Sequence, residues 1–429
     1  MFEERRKIFL EKMNGGIAIL RNPNEVIRSH DTNYRYRSDS DFYYLTGFNE
    51  PNSIALFIPE NDKYKYILFV RPRDPEKETW DGRRAGIEGA INDYKADIAY
   101  DINDFPKKIL DYLKNKDKLY YTFGIYPDID KIVIDAISNL RGRVRNGDFA
   151  PSTIIDIGTI LHEMRLIKSN DEIELMKKSN FIAQEAHIQA MKNVKPNMYE
   201  YEVEAIIENV FKKYGACSSY NPIIGSGINS TILHYNENNS LMRNGDLLLI
   251  DAGAEYNYYA SDITRTFPIN GKFTPAQKAV YEVVLKAQLE AIKIAKPGIK
   301  FHDIHDLAVK ILSEGMIEIG LLKGSLDEVI EKEHYKKFYM HRTSHWLGMD
   351  VHDRGLYYIN GKSRELQKGM ILTIEPGIYI QENITDLPKE FIGIGIRIED
   401  DILITENGNE NLSERVPKFI DEIEDLMSN

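Results

Sequence analysis

Gly245-Asp-Leu-Leu-Leu-Ile-Asp251-Ala-Gly253 and, further along, Gly369-Met-Ile-Leu-Thr-Ile-Glu375-Pro-Gly377 carry nearly the same pattern. In each, a glycine opens a short apolar run, a carboxylate closes it six residues on, and a second glycine follows two later. A run of Leu and Ile that short reads as a buried strand. An acid at the end of a buried strand is costly unless a partner compensates it. Finding that arrangement twice points to two related half-domains that deliver carboxylates to one shared cation.

The repeat extends well beyond the strands. Ser169-Asn-Asp-Glu172 and Thr274-Pro275-Ala276-Gln277 are capping boxes, the second with proline at the first helical position. Behind the first, Met176, Ala183, His187 and Ala190 fall near helical spacing. Each long helix is expected to stop at a Lys-Pro pair, Lys195-Pro196 and Lys296-Pro297, and each shorter helix that follows to close on a glycine, Gly215 and Gly315. A unit this long is a duplicated half-domain rather than a solenoid repeat. A pseudo-twofold axis would bring the two carboxylate strands together.

The part before this repeat, to about residue 165, alternates strands and helices. Ser53 to Ile58 and Tyr66 to Val70 read as strands separated by the turn Pro59-Glu-Asn-Asp, and Phe105 to Leu113 and Ile129 to Leu140 as helices. The expected organisation is therefore an α/β domain over 1–165 and a larger α+β domain of two pseudo-twofold halves over 166–429. With 429 residues, 42% apolar and 28% charged, the chain suits two or three globular domains. Its formal charge of -12 argues against nucleic acid or an anionic membrane as partner. The charged start, Met1-Phe-Glu-Glu-Arg-Arg-Lys, lacks the apolar core of a secretory signal, and no apolar run approaches the roughly 20 residues of a membrane span. A single cysteine, Cys217, fits a reducing cytoplasm and excludes thiolate-rich zinc sites, so any metal is held by His, Asp and Glu.

Four carboxylates and one histidine-rich stretch stand out. Asp251 ends the first strand and Asp262 follows in Tyr258-Tyr-Ala-Ser-Asp262-Ile-Thr-Arg265; Glu375 ends the second, and Glu399 lies in Gly393-Ile-Gly-Ile-Arg397-Ile-Glu399. On that alternating strand Arg397 and Glu399 point the same way, so the arginine can orient the carboxylate. Between the halves runs His341-Arg-Thr-Ser-His345-Trp-Leu-Gly-Met-Asp-Val-His352-Asp. Four ionised carboxylates in one pocket need cations to offset their repulsion. An oxygen-rich set with one imidazole favours Mn²⁺, Co²⁺ or Zn²⁺ over a thiolate-loving metal, and carboxylates can bridge two such ions. A pair of this kind activates water and polarises a carbonyl, which is the equipment for hydrolysis.

The stretch His341 to Asp353, with the Asp251/Asp262 and Glu375/Glu399 segments, resembles the pita-bread (creatinase/aminopeptidase-like) metallopeptidases. Arg37-Ser-Asp-Ser-Asp-Phe-Tyr-Tyr-Leu-Thr-Gly-Phe-Asn-Glu-Pro51 and Thr79-Trp80-Asp-Gly-Arg-Arg84 are similar to the aminopeptidase P branch. The resemblance implies five ligands, Asp251, Asp262, His345, Glu375 and Glu399, holding two divalent ions, usually Mn²⁺. It implies hydrolysis of the bond before a proline at the second peptide position by a metal-bridging hydroxide, with Glu375 as general base. His234, in Thr231-Ile-Leu-His234, and His352 would stabilise charge on the carbonyl, with His341 as a further pocket histidine and Tyr379 shaping the pocket. It also implies a homodimer or homotetramer, in which the region of Trp80 brings neighbouring subunits together near the active site. A prolidase acting on Xaa-Pro dipeptides, and a non-catalytic peptide-binding module, are the competing readings.

Blander readings hold elsewhere. His302 and His305 lack a third ligand and read as a solvated helix start. His162-Glu163 lacks the second histidine of a zincin helix and reads as the tail of the first domain. Cys217 reads as an inert thiol. Trp80, which the resemblance places at the substrate pocket, could instead be ordinary core.

Overall fold

The computed structural model describes residues 1–60 and 63–428. The chain divides into two compact units, Met1–Met164 and Arg165–Asn429. The first is built on a six-stranded sheet. Its strands are β1 (Ile17–Asn22), β2 (Ser53–Glu60), β3 (Lys63–Val70), β4 (Ile98–Asp101), β5 (Lys118–Tyr120) and β6 (Thr153–Ile155), in spatial order β4-β3-β2-β1-β5-β6. β1, β2 and β3 pair antiparallel, whereas β4, β5 and β6 add in parallel, so the sheet is mixed. Helices α1 (Phe105–Leu113) and α2 (Pro127–Arg141) cover it with Ile109, Leu113, Val133 and Leu140 against Ile19, Leu56 and Phe69. Asn61 and Asp62 of the expected β2–β3 turn lie outside the described residues.

The second unit shows why the repeated pattern is physical. α3 (Asn170–Asn193) begins at the Ser169/Glu172 capping box and α5 (Pro275–Ile294) at the Thr274/Gln277 box. In the latter the Thr274 amide donates to Gln277 at 2.9 Å while the Gln277 amide donates back to Thr274 at 3.3 Å. Each helix stops short of its Lys-Pro pair and is followed by a shorter one, α4 (Glu200–Lys213) and α6 (Phe301–Glu318). Gly215 follows α4 with φ +74°, as expected of a left-handed terminator. Gly315 does not end α6. It lies inside the helix, which runs on to Glu318 with Gly320 (φ +80°) beyond it. A Cβ at Gly315 would stand 2.4 Å from a Val283 methyl, so this glycine serves the close approach of α5 and α6 rather than a turn.

The two carboxylate strands are β8 (Leu247–Asp251) and β10 (Ile371–Ile374), both fully buried. β8 pairs antiparallel with β7 (Ile223–Ser226) and β9 (Thr264–Pro268), setting Asp251 opposite Thr264. Gly245 (φ +91°) and Gly369 (φ +87°) take the left-handed conformation just before their strands, which explains why both copies need glycine there. β11 (Gly377–Tyr379) pairs with β12 (Gly395–Arg397), and β10 pairs with β13 (Asp400–Ile404), so Glu399 sits in the break between β12 and β13. Ile182, Ile207, Leu248, Ile250, Val284 and Leu312 share one core, while Trp346, Leu372, Ile374 and Ile402 share another. Among the described residues no helix is long and apolar enough to cross a membrane.

Beneath β13 lies a fully buried ionic node. Asp400 accepts from Arg265 at 2.7 Å, Lys418 at 2.5 Å, Gln288 at 2.7 Å and the Ser413 hydroxyl at 2.7 Å. Burial opposes its charge, but Arg265 and Lys418 overcome that and hold the carboxyl well below the ordinary range. Its folded-state pKa therefore lies under the unfolded value of about 3.9, so the ionised form contributes fully above that pH and the contribution drains away as pH falls. Removing one partner of such a node strands the others, at a cost of about 3–5 kcal/mol. Asp400→Asn is expected to lose that much stability in urea unfolding of metal-free protein at neutral pH, with a flatter acid profile than the parent. A parental midpoint would show that the node is not what holds β9, β13 and the C-terminal segment together.

Candidate metal centre

The two halves converge on a cavity of about 650 Å³ whose wall carries Asp251, Asp262, Glu375, Glu399, His345 and Arg397. Asp251 sits at the end of β8, Glu375 one residue past β10, and Glu399 between β12 and β13. Ligand atoms of Asp262, His345 and Glu399 lie within 4.8 Å of one another. His345 Nε2 is 3.4 Å from Asp262 and 3.5 Å from Glu375. The other nitrogen, Nδ1, is 3.0 Å from the carbonyl of Trp346. A carbonyl only accepts, so Nδ1 keeps its proton toward the backbone, and Nε2 is the nitrogen that faces the acids and would have to give up its own proton to hold a metal.

Each carboxylate is held from behind. Thr264 donates its hydroxyl to Glu399 at 2.6 Å, Thr373 to Glu375 at 3.3 Å, and Tyr220 to Asp262 at 2.6 Å and also to Asp251. The Asp262 amide donates to Asp401 at 3.0 Å. Arg397 donates to Asp251 at 2.6 Å, to Tyr379 at 2.9 Å and to Thr264 at 3.1 Å. It therefore orients Asp251 from the opposite half, whereas Thr264 supports Glu399. Strand alternation predicts an Arg397–Glu399 partnership, but the strand breaks at Arg397 and the guanidinium is free to cross to β8.

The electrostatics of these side chains are unbalanced. Burial, then Asp262, Glu375 and Asp251, push Glu399 well above the ordinary carboxylate range. Burial pushes Glu375 up to about 7 despite His345 and Arg397, and raises Asp251 as well. Burial also works against charge on His345, yet Asp262 and Glu375 bring it up to about 9. His345 in turn keeps Asp262 low in spite of its burial. Four acids thus share one arginine and one borrowed imidazole proton, and the shortfall of positive charge is what a divalent cation supplies. Carboxylate oxygens with one imidazole nitrogen suit a hard or borderline divalent ion, so the residues fit the group.

The other predicted residues take distinct places. His352 packs edge-on to His345 at 4.4 Å between ring centroids, and burial lowers its pKa. His234 lines the same cavity. His341 Nδ1 donates to the Arg342 carbonyl at 2.8 Å, which leaves Nε2 to accept the Tyr379 hydroxyl at 2.8 Å. Tyr379 is fully buried and joins His341 to Arg397. Trp80 lies on the short helix Pro75–Asp81 of the first unit and is 85% exposed, so it is not core. His302 and His305 do open a helix, α6, but they line the cavity rather than facing solvent alone. Tyr220, Thr264 and Thr373 carry no signal in the sequence. Asp401 does, because three consecutive acids, Glu399-Asp400-Asp401, are anomalous in a buried strand region.

Residues 174–406 match the model of metallopeptidase family M24, and residues 2–121 that of the aminopeptidase P N-terminal domain. The Xaa-Pro aminopeptidase of Escherichia coli K12 is 44% identical over 99% of this chain and 97% of its own length. Human Xaa-Pro aminopeptidase 3 is 34% identical over 96% of this chain and 80% of its own. Pseudomonas aeruginosa aminopeptidase PepP superposes with a TM-score of 0.97 at 45% identity, covering 100% of this chain and 97% of that one. A variant of E. coli aminopeptidase P in complex with substrate gives 0.96 at 44% identity, with coverage of 100% and 97%. With these matches spanning both units, the chain belongs to metallopeptidase family M24, its pita-bread domain preceded by the N-terminal domain of the aminopeptidase P group.

Proposed function

We propose that this protein is a metal-dependent aminopeptidase that hydrolyses the bond between an N-terminal residue and a following proline, with residues 166–429 as the catalytic domain and 1–165 as the N-terminal domain. The observation that carries it is the orientation of His345, whose Nδ1 is taken by a backbone carbonyl and whose Nε2 faces Asp262 and Glu375 in a pocket short of positive charge. The Xaa-Pro aminopeptidase relatives, similar over nearly the whole chain, supply the substrate class. Asp251, Asp262, His345, Glu375 and Glu399 would hold two divalent ions, for which we propose Mn²⁺. When bound, such ions activate water and polarise the peptide carbonyl.

The residues of the chain do the rest. Glu375, one residue past its strand on the cavity wall, is suited to take a proton from the attacking water and return it to the leaving nitrogen. The leaving nitrogen departs as an amine only once it has gained a proton, so departure depends on that delivery. His352 and His234, on the same wall, are placed to stabilise charge on the carbonyl oxygen. The Arg397–Tyr379–His341 series keeps Asp251 and the pocket histidine in register. We also propose a cytoplasmic homodimer or homotetramer with peptides as its only partners, the exposed Trp80 lying near a subunit contact.

A Xaa-Pro-Xaa tripeptide and a Xaa-Pro dipeptide offered with Mn²⁺ test the substrate class. Cleavage of the tripeptide is expected, and cleavage of the dipeptide alone would make the protein a prolidase instead. Glu375→Gln and Asp262→Asn should lower kcat by roughly 10²–10⁴ or more with an unchanged circular dichroism spectrum. Near-parental turnover in either would remove these residues from the mechanism. Metal binding must also strip protons. Glu375 near 7 and His345 near 9 in the metal-free site both have to deprotonate, so affinity should rise with pH through that window. Calorimetric Mn²⁺ titrations at pH ~7 in buffers of different ionisation enthalpy should register net proton release. A heat independent of buffer would contradict this ligand set.

A further inference from the structure

Away from its acidic end, the wall of the cavity changes sign. His341 turns its ring toward Glu375, 3.7 Å away, while the next residue, Arg342, is exposed and lines the same cavity. Among the described residues nothing hydrogen-bonds or ion-pairs with the Arg342 guanidinium. The nearby cation Lys336 is already engaged by Glu333 at 2.6 Å. The His305 ring reports the field at this end. Burial first, then Arg342, His302 and Lys336, lower it to about 4, so it stays neutral and does not compete with Arg342 for an anion.

A ladder of rings shows where this end lies. Centroids step from Tyr379 to His341 (5.5 Å), to Tyr339 (4.9 Å), to His305 (6.0 Å) and to His302 (5.8 Å). Tyr379 is fully buried, whereas the His302 side chain is 37% exposed, so the ladder climbs from the metal end to the cavity rim. An aminopeptidase accommodates a single residue on the amine side of the scissile bond but a chain of any length on the other. The open rim therefore receives the part of the peptide that follows proline.

We infer that Arg342 is a specificity residue for the leaving side of the substrate, binding a carboxylate that follows proline through its otherwise unpaired guanidinium. The inference rests on the aminopeptidase reading above. The carboxylate can come from the C-terminus of a short peptide or from an acidic side chain. A planar guanidinium with free donors is matched to either.

Two peptide pairs separate the sources: a Xaa-Pro-Xaa tripeptide as free acid and as C-terminal amide, and longer amidated peptides with Glu or Gln after proline. For the parent enzyme with Mn²⁺, KM for the carboxylate-bearing member of at least one pair should be lower by about fivefold, the upper range for an exposed ion pair. The gap should shrink toward one in about 0.5 M salt. A gap in the first pair alone assigns the site to the C-terminus, and one in the second alone to the side chain. In Arg342→Gln the gap should close, with melting temperature retained. Equal KM values within both parental pairs, or a gap that survives in Arg342→Gln, would overturn the inference and leave the aminopeptidase reading standing. Failure of the parent to cleave any of these peptides would overturn both.

Discussion

Everything in the catalytic unit answers to one constraint, the burial of four carboxylates around one cavity. Like charges in a poorly solvated space repel strongly, and the pocket offsets this only in part. Arg397 reaches from one half to Asp251 in the other, and hydroxyls of Thr264, Thr373 and Tyr220 hold the acids in place without adding charge. The result is rigid but electrically unfinished. Carboxyl groups pushed upward by burial hold protons that an arriving cation would displace, so occupancy of such a site is tied to pH.

Glu399 and Asp400 show how closely opposite environments can be packed. They are neighbours in sequence, yet burial and nearby acids drive Glu399 up while Arg265 and Lys418 drive Asp400 down. Successive side chains in extended backbone point to opposite sides, so one segment faces the cavity with one acid and anchors the interior with the next. The acid that serves the chemistry is left short of partners, and the acid that serves the fold is saturated with them. Stability and reactivity are thereby carried by adjacent residues of one segment.

The histidines divide in the same way. His345 is fixed by the Trp346 carbonyl with its other nitrogen toward the acids, while His341 is fixed by the Arg342 carbonyl with its other nitrogen toward Tyr379. In both, a backbone carbonyl accepts from Nδ1 and so sets Nε2 toward the pocket. The cavity is polarised, with acids and imidazole at the closed end and, at the rim, the Arg342 guanidinium, unpaired among the described residues. A peptide, with its amine at one end and its carboxylate at the other, is the kind of molecule such a gradient aligns.

What was legible in the sequence was local. The capping boxes at Ser169 and Thr274, the Lys-Pro stops and the left-handed glycines before β8 and β10 depend on backbone geometry a few residues wide, and the repeated strand carboxylates stand out because an acid there is costly. That was enough to nominate Asp251, Asp262, Glu375, Glu399 and His345. The partners of those residues were not legible. Arg397 meets Asp251 across 146 positions of chain, and Thr264 meets Glu399 across 135. Gly315 looked like a helix end and is a packing contact with Val283, and His302 and His305 looked solvated and line the cavity. Such pairings are set by how the two halves close on each other. A local pattern can state that a buried charge needs a partner, but only the tertiary packing decides which residue arrives.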